Sequence, residues 1–212
     1  MTRLTILLAV FLVAFSTDIA AQKKNKNKAE DKELTYSSDL VSGLNVRGIG
    51  PALTSGRIAD LAVNPNNPFE YYVAVASGGV WKTTNAGTTY EPIFDSHGSY
   101  SIGCISIAHS NEHVVWIGTG ENNNQRSVAY GDGVYKSEDG GATFKNMGLK
   151  ESEHIGNILI HPTDQNTVYV AAYGPLWSEG GERGVYKTID GGESWELILE
   201  ISKHTGVSEI AF

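Results

Sequence analysis

Apolar residues in this chain come in short runs, not at helical spacing. Arg57-Ile-Ala-Asp-Leu-Ala-Val63, Ser101-Ile-Gly-Cys-Ile-Ser-Ile107 and His154-Ile-Gly-Asn-Ile-Leu-Ile160 are apolar at most positions. Tyr71–Ala76, Val114–Thr119 and Val168–Ala172 are shorter and rich in Val and aromatic residues. Gly and Asn/Asp clusters interrupt the chain every 8–12 residues or so, which predicts short strands joined by tight turns. A strand that is apolar on both sides needs cover on both faces. The first strand of each group is therefore expected between stacked sheets.

The runs belong to a repeat. Val80-Trp-Lys-Thr-Thr-Asn-Ala-Gly-Thr-Thr-Tyr90, Val134-Tyr-Lys-Ser-Glu-Asp-Gly-Gly-Ala-Thr-Phe144 and Val185-Tyr-Lys-Thr-Ile-Asp-Gly-Gly-Glu-Ser-Trp195 align position by position. Each follows two strand-like runs and precedes a fourth, as in Trp195-Glu-Leu-Ile-Leu199. Four short antiparallel strands recurring every 40–55 residues or so predict an all-β fold of β-propeller blades. The expected blades are 56–97, 98–150 and 151–203, with the first strand of a fourth at 204–212. About three blades are fewer than close a ring, so residues 44–212 read as the N-terminal part of a larger propeller.

The shared turn has the pattern hydroxyl, any residue, Asp or Asn, any residue, Gly, any residue, hydroxyl, aromatic. The Asp-type residues Asn85, Asp139 and Asp190 can accept hydrogen bonds from backbone N–H groups ahead of them. Gly87, Gly141 and Gly192 can take the positive φ that the turn requires. Thr83, Ser137 and Thr188 can tie the other end, and Tyr90, Phe144 and Trp195 return into the blade to pack. These roles account for the carboxylates without catalysis or calcium binding.

Composition and charge narrow the function. Residues 1–21 carry Arg3, an apolar stretch from Leu4 to Phe15, and Ala20-Ala21, the anatomy of a Sec signal peptide cleaved after Ala21. Its apolar stretch is shorter than the roughly 20 residues of a membrane span, so an exported protein with no integral membrane segment is expected. Residues 22–43 read as a flexible Lys/Asn-rich linker and lead-in. Residues 34–212 carry 20 acidic against 10 basic side chains, a balance that repels nucleic-acid backbones. The single cysteine, Cys104, forms no internal disulfide and reads as a small buried hydrophobe. No metal or cofactor motif is recognisable. His154 and His161 are an odd number of residues apart in a strand and so face opposite sides.

With Gly48-Ile-Gly-Pro51, Gly118-Thr-Gly-Glu-Asn-Asn123, Gln125-Arg-Ser127, Tyr130-Gly-Asp-Gly133 and Gly174-Pro-Leu-Trp177 added, the three turns resemble the Asp-boxes of secreted bacterial BNR-repeat proteins. Those are similar to the Vps10 propeller of sortilin and are often labelled glycosyl hydrolases. In the related xyloglucanases, the resemblance implies a catalytic Asp just before the Gly-Gly of the first blade. Ala76 or Ser77 stands there in this chain. Glycoside hydrolysis uses two carboxylates. One is thus missing here, and a second would lie past residue 212. Sialidases carry an Arg-Ile-Pro motif, to which the nearest match here is Arg57-Ile58-Ala59, without the Pro, which weakens that reading.

Blades 2 and 3 carry insertions that blade 1 lacks. Equivalent insertions in a repeat fold map to one face, often the binding face. The candidate ligand-binding residues are Asn122, Asn123, Asn124, Gln125 and Arg126 in the first insertion and Trp177 and Arg183 in the second. A competing reading has Trp177 packed on a neighbouring blade and Arg183 paired with Glu179 or Glu182. The expected function is a non-catalytic binding propeller for protein, peptide or polysaccharide ligands, completed by further blades of the same polypeptide. The alternatives are a xyloglucanase-like hydrolase with its carboxylates in later blades, and an assembly-factor propeller like those of photosystem II.

Overall fold

The computed structural model describes residues 37, 42–43, 56–123 and 128–212. The expected signal segment 1–21, most of 22–43 and the stretch 48–51 lie outside the described residues, as do Asn124, Gln125 and Arg126.

Three four-stranded antiparallel sheets follow one another along the chain, each a simple up-and-down meander. The first holds β1 (Ile58–Val63), β2 (Tyr71–Val75), β3 (Gly79–Thr83) and β4 (Glu91–Pro92). The second holds β5 (Ile102–Ala108), β6 (Asn111–Thr119), β7 (Val134–Ser137) and β8 (Lys145–Gly148). The third holds β9 (Ile155–His161), β10 (Asp164–Ala172), β11 (Gly184–Thr188) and β12 (Glu196–Leu199). A 3-10 turn, Lys150–Ser152, leads into the third sheet. We refer to the sheets as blades 1 to 3.

Period-two alternation decides which side chains meet. Ala62, Tyr72, Ala74 and Val80 of blade 1 pack on Ile105, Ile107, Val115 and Ile117 of blade 2. The opposite face of blade 2, with Cys104, Val114, Trp116 and Met147, packs on Ile155, Ile158, Val168 and Val170 of blade 3. Every residue of β5 except Ser106 is buried, as expected for an innermost strand. Strand β1 departs from that expectation. Ile58, Leu61 and Val63 are more than half exposed, because no blade covers that face among the described residues. They line an apolar groove of about 770 Å³ with Tyr71, Trp81 and Tyr90.

The three repeated turns share one hydrogen-bond scheme. The Ser137 hydroxyl donates to Asp139 Oδ1 (2.8 Å) and accepts from Gly141 N–H (2.8 Å). Asp139 in turn accepts from the Thr143 N–H (2.8 Å) and hydroxyl (2.6 Å). Thr188, Asp190, Gly192 and Ser194 repeat these contacts in blade 3. In blade 1, Asn85 accepts from Thr89 N–H and donates its amide to the Thr89 hydroxyl, both at 2.9 Å. Each turn also docks on the second strand of its own blade or the residues leading into it, through Ala86 N–H to Phe69 O, Gly140 N–H to His113 O and Gly191 N–H to Asn166 O.

The docking residue has positive φ in all three copies: 56° at Ala86, 69° at Gly140 and 72° at Gly191. A Cβ in that conformation is strained by about 1–2 kcal/mol, partly offset by the extra freedom a glycine has when unfolded. Ala86→Gly should therefore stabilise the protein by about 0.5–1 kcal/mol. The check is the urea midpoint of the full-length protein; a lower midpoint would contradict the strain account.

The aromatic that ends each turn reaches the preceding blade. Phe144 stacks edge-on against Phe94 of blade 1 at 5.3 Å. Trp195 does the same with Trp116 of blade 2 at 6.0 Å and donates its indole N–H to Met147 O at 2.7 Å. Tyr90 has no such neighbour among the described residues; it bonds the Tyr71 hydroxyl and lines the open groove. The repeated lysine also has a role. Lys82, Lys136 and Lys187 lie over the cross-strand rings of Tyr72, Trp116 and Tyr169 at 5.2, 5.7 and 5.5 Å. Each pair contributes about 0.5–2 kcal/mol.

Candidate ligand-binding face

The turns just described lie at one end of the strands, so the β2–β3-type loops and the lead-ins to each first strand lie at the other. Three equivalent bonds align these loops: Ala76 N–H to Arg57 O, Gly120 N–H to Ser101 O and Tyr173 N–H to His154 O. Ala76, Gly120 and Tyr173 are thus one structural position, and Ser77, Glu121 and Gly174 are the next. The position that carries a carboxylate in the xyloglucanase resemblance holds the buried Ala76 and the half-buried Ser77.

Blade 2 does have an acid there, but it is committed to structure. Glu121 is fully buried and forms an ion pair with Arg57 of blade 1. Its backbone N–H donates to the Ser101 hydroxyl at 2.9 Å. Asp132 is likewise held within its loop, accepting from the Tyr135 hydroxyl at 2.5 Å while its N–H donates to Thr119 Oγ1 at 2.8 Å.

In the blade 3 insertion the two candidates separate. Arg183 is buried. Its Nε donates to Gly180 O (2.7 Å) and its Nη1 to Tyr173 O (2.8 Å), while Nη2 serves the carbonyls of Pro175 and Ser178. A guanidinium offers five donors in a fixed fork, and here the loop's own carbonyls take them. Arg183 is therefore a scaffold residue rather than a ligand contact. It pairs with neither Glu179, which bonds Lys203, nor Glu182, which accepts Glu151 N–H. Trp177 sits in the loop that Arg183 braces and is 63% exposed, so it does not pack on a neighbouring blade. Tyr100 and Tyr130 are also exposed on this face, joined through the Ser99 hydroxyl, which donates to Tyr130 O. The Tyr130 ring lies 5.7 Å from that of His154, a fully buried histidine. Burial alone pushes His154 down to about 4.

Asn122 and Asn123 border a second feature, a polar pocket of about 320 Å³. The inner strands supply most of its wall. Asp60, Cys104, Asn157 and Glu209 occupy one position of the repeat, and Ala59, Gly103, Gly156 and Ser208 the one before. Glycine is required at 103, because a Cβ there would lie 2.2 Å from Ile155 O. The resulting closeness lets the Asn122 amide donate to both Gly103 O and Gly156 O, at 3.2 and 3.3 Å. Asp60 crosses between blades, accepting Ile105 N–H at 3.0 Å. Burial raises the Cys104 thiol far above its ordinary range, with the Asp60 charge adding to the effect. The sequence signal for this pocket was available in part: Asp60, Asn157 and Glu209 interrupt apolar stretches at one repeat position, where blade 2 has Cys104.

No protein-family model matches the chain. The chain is similar to Vps10 receptors and to xyloglucanases. It is 22% identical over 189 residues to the human VPS10 domain-containing receptor SorCS3, covering 86% of this chain and 14% of the receptor. It is 24% identical over 190 residues to an oligoxyloglucan-reducing end-specific xyloglucanase of Emericella nidulans, covering 81% of this chain and 20% of that enzyme. A xyloglucanase of Hypocrea jecorina is 30% identical over 115 residues, covering 51% of this chain and 12% of the enzyme. Among solved structures, an ancestral GH74 enzyme superposes with a TM-score of 0.54 at 22% identity, over 68% of this chain and 18% of that one.

The fold is that of a β-propeller. Its three blades are fewer than the four or more that close a ring, so the described residues form part of one. The chain spans a fifth or less of the length of these curated relatives. Among the described residues no helix is long and apolar enough to cross a membrane.

Proposed function

We propose that this chain forms a non-catalytic binding face of an exported β-propeller protein that recognises protein, peptide or polysaccharide ligands. The observation that carries the reading is the loop around Trp177. A buried guanidinium fixes four of its carbonyls, and the loop presents an exposed indole at the same end of the blades as exposed Tyr130 and the polar pocket. Rigid aromatic groups lose little entropy on binding, and a loop ordered in advance loses less still. The hydrolase reading lacks support within these blades. Ala76 and Ser77 stand at the expected carboxylate position, and Glu121 of the next blade is paired with Arg57. Similarity to two xyloglucanases keeps a hydrolase with carboxylates in further blades as the second reading.

The test uses the full-length protein on immobilised xyloglucan and, in parallel, on an immobilised random-peptide library. Retention on at least one support should fall about tenfold in Trp177→Ala. Unchanged retention would count against this face. Release of new reducing ends from xyloglucan would establish the hydrolase instead.

A further inference from the structure

The polar pocket at the inner strands has a one-sided chemistry. Its charged lining residues are Asp60 and Glu209, and among the described residues no Lys, Arg or His lines it. Arg57, three residues before Asp60, is taken by Glu121. The amides add acceptors. Asn122 spends its N–H group on the Gly103 and Gly156 carbonyls, which leaves its side-chain oxygen uncommitted. Asn157, also in the lining, has a buried side-chain oxygen that accepts no hydrogen bond. Asp60 is held in place by two backbone donors, Leu61 N–H at 2.8 Å and Ile105 N–H at 3.0 Å, so its charge is fixed at the pocket wall.

The complement of a small, acceptor-rich, negatively charged pocket is a compact group that donates hydrogen bonds and carries positive charge. We propose that the Asp60–Asn157–Glu209 pocket binds a lysine or arginine side chain of a partner polypeptide. At about 320 Å³ the pocket has room for one long side chain but not for several sugar rings in a row. The inference rests on the binding-face reading and narrows its ligand to a basic peptide. Trp177 and Tyr130, on the same end of the blades, would take the apolar residues that flank the basic one.

The experiment titrates the full-length protein with acetyl-Ala-Lys-Ala-amide and with the same peptide acetylated at the lysine Nε, followed by NMR. Glu209→Gln is the main variant, since Glu209 is exposed and its loss should leave folding intact. Asp60→Asn is the second, with a thermal melt as the folding control. Acetylation and Glu209→Gln should each weaken binding by about tenfold, the usual weight of a charge-assisted hydrogen bond. Binding should also weaken as salt is raised. Equal affinity for the two peptides overturns the proposal, as does an unaffected Glu209→Gln. Saturation by calcium chloride alone, with no response to the lysine peptide, also overturns it. So does a xyloglucan oligosaccharide that binds in a Glu209-dependent way while the peptide does not. If the lysine probe fails but Trp177-dependent retention persists, only this inference falls and the binding face stands.

Discussion

Replacing Trp116 with alanine should lower the unfolding free energy by about 3–5 kcal/mol, the range for deleting a large buried aromatic. Trp116 is fully buried between blades 2 and 3, within the cluster that holds Val114, Met147, Ile158 and Val170. Trp195 meets its edge, Lys136 lies over its ring, and Gly192 is so near that a Cβ there would sit 2.6 Å from the indole. Truncation would remove the seam between two blades and leave a cavity that rigid sheets cannot close. Trp116→Phe should cost under about 2 kcal/mol, because it keeps most of the apolar volume. The indole N–H of Trp116 has no hydrogen-bond partner among the described residues, so Phe loses no hydrogen bond. Denaturant unfolding of the full-length protein measures both. Equal losses for Phe and Ala would rule out packing as the cause.

Acidification from pH 6.5 to 4 should remove about 3 kcal/mol of stability through His154 alone. The ring is wholly buried and neither nitrogen has a partner among the described residues. Burial disfavours the imidazolium and holds the folded-state value at about 4, against 6.5 for a free histidine. The sign follows from proton counts. Between those two values the unfolded chain binds the proton and the folded chain does not, so falling pH favours unfolding. His154→Leu should flatten this limb of the stability curve; a limb that survives the substitution would assign it to another group.

A second limb should follow below pH 4. The Thr143 hydroxyl and N–H and the Ser137 hydroxyl hold Asp139 at about 2, and the Ser194 and Thr188 contacts hold Asp190 lower still. Their contribution is present above about 4 and is lost as the pH falls through the folded values. Asn at both positions should shrink that limb and keep the turn, since Asn85 already makes the equivalent bonds in blade 1; contacts to Asp164 and Glu138 hold the remainder.

The strands and turns were legible because their causes are local. Period-two alternation marks a strand within a few residues, and the hydroxyl–Asp–Gly turn closes its hydrogen bonds within eight. The repeat then required the same sheet three times, and three sheets formed. The role of the repeated lysine was less visible, because its aromatic partner stands on the neighbouring strand about ten to twenty residues earlier.

The candidate site shows where local reasoning ends. Trp177 and Arg183 looked alike as loop residues with polar or aromatic heads. Tertiary structure turned Arg183 inward onto four carbonyls and left Trp177 in solvent, a choice made by where the backbone of the loop places its oxygens. Glu121 became a buried ion pair only because Arg57 of another blade faces it. Asp60, Asn157 and Glu209 converge only because consecutive inner strands lie side by side.

By itself, then, the sequence determined the strands, the turn chemistry and the blade as the repeating unit, since each is set by residues within a short stretch of chain. Tertiary structure alone decided which polar groups meet, which are neutralised and which remain open to a ligand. The Arg57–Glu121 and Asp60–Ile105 contacts join different blades, and the Arg183 contacts depend on the loop's folded backbone, so no short sequence pattern encodes them.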